Sequence, residues 1–158
     1  MIKKLVESDR PALVNLIKGQ AVFRKEERIV AVEVLDEALK KGDESGYFFY
    51  CAFTERLSLA GYICFGPIPM TDNRYDLYWL AVDRRFTRMG YATELMSAAE
   101  KAIRSRGGKS IYIETSSLEA YHPARELYKR FGYHITARIK DFYRFGDDKI
   151  IYAKHVSG

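Results

Sequence analysis

Tyr75-Asp76-Leu77-Tyr78-Trp79-Leu80-Ala81-Val82-Asp83-Arg84-Arg85-Phe86-Thr87-Arg88-Met89-Gly90-Tyr91-Ala92-Thr93-Glu94-Leu95-Met96-Ser97-Ala98-Ala99-Glu100 is the stretch that decides the fold of this 158-residue chain. From Leu77 to Val82 it is a short apolar run with aromatic and β-branched members, the composition of a buried strand. From Ala92 the period changes. Ala92, Leu95, Met96, Ala99, Ala102 and Ile103 recur at helical spacing as one continuous stripe. Between strand and helix lie Arg84, Arg85 and Arg88, then Gly90, where the missing side chain lets the backbone come close to a ligand. Amide groups at a helix N-terminus with arginines beside them make a cradle for phosphate. A solvated connection between two elements would use the same residues, so the weight of the reading rests on what surrounds the turn.

Upstream, residues 2–6 read as a first strand. Ser8 or Asp9 can cap a helix that carries Pro11 in its first turn, buries Leu13, Leu16 and Ile17, and ends at Gly19. A second helix is expected over 25–41. Ile29, Val32, Leu35 and Leu39 form its buried stripe, Glu26 and Glu27 sit at its positive end, and Lys40 and Lys41 lie before the stop at Gly42. Residues 47–53 and 59–65 then form an antiparallel hairpin around Thr54-Glu55-Arg56.

Downstream, Gly107-Gly108 ends the long helix and 110–115 is a strand. Residues 121–131 form a short helix with Ala124, Leu127, Tyr128 and Phe131 on one face, closed by Gly132. The strands 133–145 and 149–155 flank a turn at Gly146-Asp147-Asp148. The expected order is β-α-α-β-β-β-α-β-α-β-β, in one domain spanning 1–158, with no internal repeat or linker.

Composition narrows the function classes. Hydrophobic residues make up 47% and charged residues 30%, values of an ordinary globular domain. The net charge of +5 suits an anionic ligand, but the basic residues are interleaved with acidic ones. No Lys/Arg tract of the nucleic-acid-binding kind is present. No run of 18 apolar residues and no leader-type h-region is found, so a cytosolic protein with no membrane partner is the expectation. Cys51 and Cys64 fall in neighbouring apolar strands and read as buried free thiols. His122, His134 and His155 have no ligand spacing among themselves or with the cysteines, so no metal is expected. Neither a Gly-x-Ser-x-Gly nor a Walker sequence occurs.

The organising stretch resembles the acyl-CoA-binding segment of the GNAT superfamily of acetyl-CoA-dependent N-acetyltransferases. In that family a strand ending in Val leads into a Gln/Arg-x-x-Gly-x-Gly/Ala turn that opens a helix and holds the pyrophosphate of coenzyme A. Here Val82 ends the strand, Gly90-Tyr91-Ala92 supplies Gly-x-Ala, and Thr87 fills the Gln/Arg slot, with Arg85 or Arg88 placed to substitute for the missing side chain. The order of elements matches the GNAT fold along nearly the whole chain. The resemblance therefore implies an α/β (α+β) GNAT fold, with a mixed twisted sheet of about seven strands and helices on both faces.

The resemblance extends to Ala124-Arg125-Glu126-Leu127-Tyr128-Lys129-Arg130-Phe131-Gly132-Tyr133. It implies that Tyr128 protonates the departing thiolate and that Tyr121, in a place where the family often has Asn, faces the pantetheine or acetyl group. It also implies that the main chain at Leu80, Ala81 and Val82, together with Thr87, Arg88, Met89, Gly90, Tyr91, Ala92 and Thr93, binds acetyl-CoA, with the oxyanion met by an amide near Leu80. A packed core tyrosine is the plain alternative for Tyr128. An ammonium cannot attack a thioester, and a carboxylate reached directly or through water could take its proton. Glu114 is the first candidate and Asp76 the second, each with a solvated strand-end charge as its alternative.

The activity implied is transfer of acetyl from acetyl-CoA to a primary amine of a small molecule or protein, by direct attack in a ternary complex. GNAT proteins are often homodimers, so that assembly stays open. Glu114-Thr115-Ser116-Ser117 and Asp141-Phe142-Tyr143-x-x-Gly146-Asp147-Asp148-Lys149 suggest a common acceptor pocket, and Phe23-Arg24-Lys25-Glu26-Glu27 lies where a substrate-covering loop often occurs. Two other readings stand beside this one: an acyl-CoA-binding sensor without turnover, and a nucleic-acid-binding domain that uses the positive charge.

Overall fold

The computed structural model describes residues 1–156. Seven strands form one sheet: β1 (Ile2–Lys4), β2 (Phe48–Phe53), β3 (Leu59–Pro67), β4 (Arg74–Val82), β5 (Ser110–Ser116), β6 (His134–Arg144) and β7 (Asp147–His155), in the order β1-β2-β3-β4-β5-β7-β6. The helices are α1 (Arg10–Lys18), α2 (Lys25–Lys41), α3 (Tyr91–Ser105) and α4 (His122–Arg130). Short 3-10 turns aside, this is the order expected from the sequence.

Each face of the sheet carries its own core. On one, Leu95, Met96, Ala99 and Ile103 of α3 and Leu127 and Tyr128 of α4 pack on Tyr75, Leu77, Ile111 and Ile113. On the other, Leu13, Leu16 and Ile17 of α1 and Ala31 and Leu35 of α2 pack on Phe49, Cys51, Tyr62 and Cys64. A fork from Arg10 to Asp36, 2.6 and 2.9 Å, ties α1 to α2. Both cysteines are buried free thiols, and burial pushes Cys51 up to about 12.

The buried face of α2 differs from the expected stripe. Ile29 is 51% exposed, while Ala31 and Leu35 are the buried positions and Val32 and Leu39 are half-buried. Arg28 takes the inward place in the first turn, where its guanidinium donates to the Gln20 carbonyl at 2.8 Å, and that rotates Ile29 outward. The last turn also differs: Asp147 already pairs with Arg144, so the reversal is made at Phe145-Gly146 and β7 begins two residues earlier.

Only four residue pairs join β4 to β5, from Arg74 with Ser110 to Leu77 with Ile113. Beyond them β4 stays with β3, and β5 stays with β7. The two strands therefore part, leaving a gap in the middle of the sheet. A β-bulge helps to part them: Cys64 pairs with Trp79 and Phe65 with Leu77, so Tyr78 is an extra residue in β4. As a result Tyr78 and Trp79 pack successively on the α1 and α2 side, and Leu80 returns to the α3 side.

Tyr62 is fully buried on β3 with no hydrogen-bond partner for its hydroxyl. An unpaired buried hydroxyl costs stability, so Tyr62→Phe is expected to be neutral or to stabilise by up to about 1 kcal/mol in urea denaturation. A clear loss of stability would contradict an unpartnered hydroxyl.

Candidate active site

The end of β4 sets up the main chain of the site. The Asp83 amide donates to the Ala60 carbonyl of β3 at 2.7 Å, and Ala81 pairs with Tyr62. Main-chain groups alternate sides along an antiparallel ladder, so Leu80 and Val82 turn theirs toward the gap. The Val82 carbonyl meets Gln20 Nε2 at 3.5 Å there.

The turn after β4 ends in Arg88, with φ +63°, and Gly90, with φ +89° at the N-cap of α3. These two left-handed residues, with Met89 between them, turn the chain so that its amides point outward together. Among the described residues, the amides of Thr87, Arg88, Met89, Gly90, Tyr91, Ala92 and Thr93 have no protein acceptor, and the first intrahelical bond is from Glu94 to Gly90, 3.0 Å. The positive end of the α3 dipole adds to these donors. A pyrophosphate fits this donor set, and a Cβ built on Gly90 would meet no atom within 4 Å, so the cradle is open.

The side chains of the turn divide. Arg85 is turned back on Asp83, with Nη2 to Oδ2 at 2.8 Å, and Thr87 donates its hydroxyl to the Arg84 carbonyl at 3.1 Å. Neither points a free group at the cradle. Exposed Arg88 is paired with no carboxylate among the described residues, which makes it the candidate to replace the family's Gln/Arg. A cleft of about 370 Å³ lined by Leu16, Gly19, Gln20, Asp83, Arg84 and Arg85 opens beside the turn.

Tyr128 lies on the α3 and α4 side of the sheet. Its ring meets Tyr133 and Tyr152 edge-on, at 6.4 and 5.7 Å between centroids. Tyr133 is fixed in turn by Glu100, which accepts from its hydroxyl at 2.8 Å and from Lys154 at 2.8 and 3.0 Å. Burial, with smaller contributions from Tyr121 and Tyr152, raises the Tyr128 phenol well above its ordinary range, so it carries its proton at neutral pH. Tyr121 donates its hydroxyl to the Val22 carbonyl at 3.1 Å and closes the α1–α2 loop over this region.

Asp76 and Glu114 lie across the sheet from Tyr128. Asp76 pairs with Tyr112, two residues before Glu114, so strand alternation puts both carboxylates on the α1 and α2 side. Exposed Glu114 is held by Lys149, Nζ to Oε2 at 3.1 Å. Asp76 is half-buried and has no cation or hydrogen-bond donor among the described residues. Burial first, and the Glu114 charge second, push its carboxyl up to about 6.

Glu27, Tyr143 and the pair Arg144 and Asp147 complete this side. Arg144 donates to Asp147 at 2.8 Å, Ser116 donates to the same carboxylate, and Glu27 and Tyr143 feel its charge. The sequence motifs named Glu27, Ser116, Tyr143 and Asp147 but left Arg144 unspecified, and the convergence of these residues depends on a hairpin bulge that leaves no periodic signal. Gln20 carried no sequence signal at all. Among the described residues no group of three or more His, Cys, Asp or Glu side chains is placed to hold a metal, and no helix is long and apolar enough to cross a membrane.

The raised carboxyl has a measurable cost. Folded Asp76 holds its proton more tightly than an unfolded carboxyl does, so its contribution to stability is complete below about pH 4 and is lost as pH rises through about 6. A shift of this size corresponds to about 3 kcal/mol if fully felt, which half exposure reduces to about 1 kcal/mol. Asp76→Asn is therefore expected to raise Tm by about 2–4 °C at pH 8, with the gain vanishing near pH 4. A gain that is the same at both pH values would contradict the raised carboxyl.

A parted central strand pair, an open amide cradle on the helix that follows and a buried tyrosine on the α3 and α4 side of the sheet are joined by one further observation: the model of the acetyltransferase (GNAT) family matches residues 11–133. This chain belongs to the GNAT acetyltransferases. A GNAT-family acetyltransferase structure from Desulfovibrio desulfuricans is 38% identical, with a TM-score of 0.93 over 99% of this chain and 98% of that one. The ribosomal-protein-S18-alanine N-acetyltransferase of Escherichia coli is 20% identical, with a TM-score of 0.79 over 100% and 94%. An aminoglycoside 6'-N-acetyltransferase complexed with coenzyme A is 18% identical, with a TM-score of 0.76 over 99% and 97%. At those lower identities the likeness is one of fold. No curated protein matches this GNAT chain significantly.

Proposed function

We propose that this GNAT acetyltransferase transfers acetyl from acetyl-CoA to a primary amine by direct attack in a ternary complex. The observation that carries the proposal is the placement of a neutral, protonated Tyr128 on one side of the parted strands and the cation-free Asp76 on the other. A thioester held in the gap would lie between an acid and a base. The coenzyme A complex of a protein with the same fold supports the choice of cofactor.

In this reading the amides at 87–93 and Arg88 hold the pyrophosphate, and the main chain of Val82 pairs with the pantetheine arm. Asp76 takes the proton of the incoming ammonium, directly or through water, because a carboxyl near 6 is a usable base at neutral pH. Glu114, engaged by Lys149, supplies a fixed charge beside it. The amine then forms the new C–N bond, the amide near Leu80 stabilises the oxyanion, and the C–S bond breaks as Tyr128 gives its proton to the sulfur. The second proton of the nitrogen restores the Tyr128 phenol and Asp76 gives its proton to solvent, so one proton leaves for each acetyl moved. The reaction belongs to the cytosol, a reducing compartment in which the free thiols of Cys51 and Cys64 persist.

A thermal melt tests the cofactor assignment. Acetyl-CoA at about one hundred times Kd should add roughly 2.7 kcal/mol, a rise of about 5–10 °C, while adenosine diphosphate gives a smaller one. No rise with acetyl-CoA would remove the cradle assignment.

A further inference from the structure

Glu114 is exposed, yet it is not left to solvent. Lys149, whose side chain is only 15% exposed, reaches it from β7 at 3.1 Å. The other side of the same ammonium rests on the Phe142 ring, 3.9 Å from its centroid.

Phe142 reaches that position because the β6–β7 ladder is broken. Ile139 pairs with Lys149 and the next pair is Arg144 with Asp147, so residues 140–143 bulge out opposite Asp148 alone. Asp141, at φ +54°, turns the bulge. Its amide donates to Asp148 Oδ1 at 2.9 Å, and its carboxylate accepts the Gly146 amide at 2.8 Å. A bulge re-aims side chains, and this one brings an aromatic ring over a lysine that a regular ladder would leave to solvent.

The charged neighbours are few. Asp76 is faced from β5 by Glu114 and Tyr112, from its own strand by Tyr78, and from β3 by Gly66, which has no ionisable group. Glu114 is faced by Lys149 from β7 and Tyr143 from β6, and Tyr143 in turn by Glu27 from α2. Among the described residues, Lys149 is therefore the cation paired with this carboxylate pair, through Glu114. The strands fix where Glu114 and Asp76 start, so Lys149 sets how much of the Glu114 charge Asp76 feels.

We propose that Lys149, clamped between the Phe142 ring and the Glu114 carboxylate, is a positioning residue for acetyl transfer: it holds and partly offsets the Glu114 charge beside Asp76, so that Asp76 stands ready to accept the proton of the incoming amine. This inference rests on the reading of Asp76 as the base.

The test is a carbon-13 NMR titration of carboxyl-labelled Asp and Glu in the intact protein, with Asp76→Asn identifying the Asp76 signal. It needs no acceptor. Lys149→Met is expected to raise the Asp76 midpoint by about half a pH unit or more, and Glu114→Gln to lower it. In the Glu114→Gln background, Lys149→Met should have a clearly smaller effect, and with Glu114 present Lys149→Arg should keep the midpoint near that of the wild type. An unmoved midpoint in Lys149→Met, or an equal shift with and without Glu114, would overturn the inference. The base reading is separated by amine-dependent turnover of Asp76→Asn. Full turnover in that variant would overturn the base and Lys149's part in transfer with it. An inactive Asp76→Asn together with an unmoved Lys149→Met midpoint would overturn the Lys149 inference alone.

Discussion

Tyr128→Phe is expected to lower amine-dependent release of coenzyme A by about 100-fold or more while leaving the Kd for acetyl-CoA within about twofold, the signature of a lost general acid. The ring stays in place because Phe keeps the edge contacts with Tyr133 and Tyr152. Among the described residues the hydroxyl has no protein partner, so its removal leaves nothing unpaired. Turnover and binding should therefore separate cleanly in initial-rate and calorimetric measurements. Equal loss of both would mark Tyr128 as a packing residue, and full turnover would remove it from the acid's role.

Gly90→Val should have the opposite profile. The position has φ +89° at the start of α3, a conformation that a β-branched residue resists at a cost of about 1–3 kcal/mol. A Cβ there touches no neighbour, so the penalty is one of backbone conformation and falls on the amides of the cradle. The expected outcome is an acetyl-CoA Kd raised about 10- to 100-fold, measured by calorimetry. Gly90→Asn should be milder, because Asn tolerates the left-handed region. Unchanged affinity in Gly90→Val would show that the cradle lies elsewhere.

What the sequence could reveal followed from how locally each feature is encoded. The order of elements was legible because strand and helix periods, glycine stops and the run at 77–82 are local patterns. The glycine turn that opens α3 was legible for the same reason. The inward face of α2 was not, because Arg28 occupies a core-facing place by donating to the Gln20 carbonyl, and no hydrophobic pattern reports that bond.

The roles of the two carboxylates also depend on tertiary structure. Glu114 and Asp76 are both recognisable as strand-end acids. What distinguishes them is a lysine brought to Glu114 by the β6–β7 hairpin and the lack, among the described residues, of any cation at Asp76. Ranking Glu114 first as base follows from sequence position, whereas the geometry favours Asp76. The bulge at Tyr78 that parts β4 from β5 likewise has no sequence signature, since Tyr78 and Trp79 look like ordinary members of an aromatic strand.

The central claim is acetyl transfer to an amine, and the most direct measurement is thiol release from acetyl-CoA across a panel of primary amines, including aminoglycosides, diamines, amino acids and peptides with a free N-terminus, with mass spectrometry of the products. The proposal predicts that at least one amine accelerates release above background hydrolysis and gains a single acetyl group on nitrogen. Tight acetyl-CoA binding with no acceleration by any amine would contradict it and leave a non-catalytic acyl-CoA-binding protein on a GNAT fold.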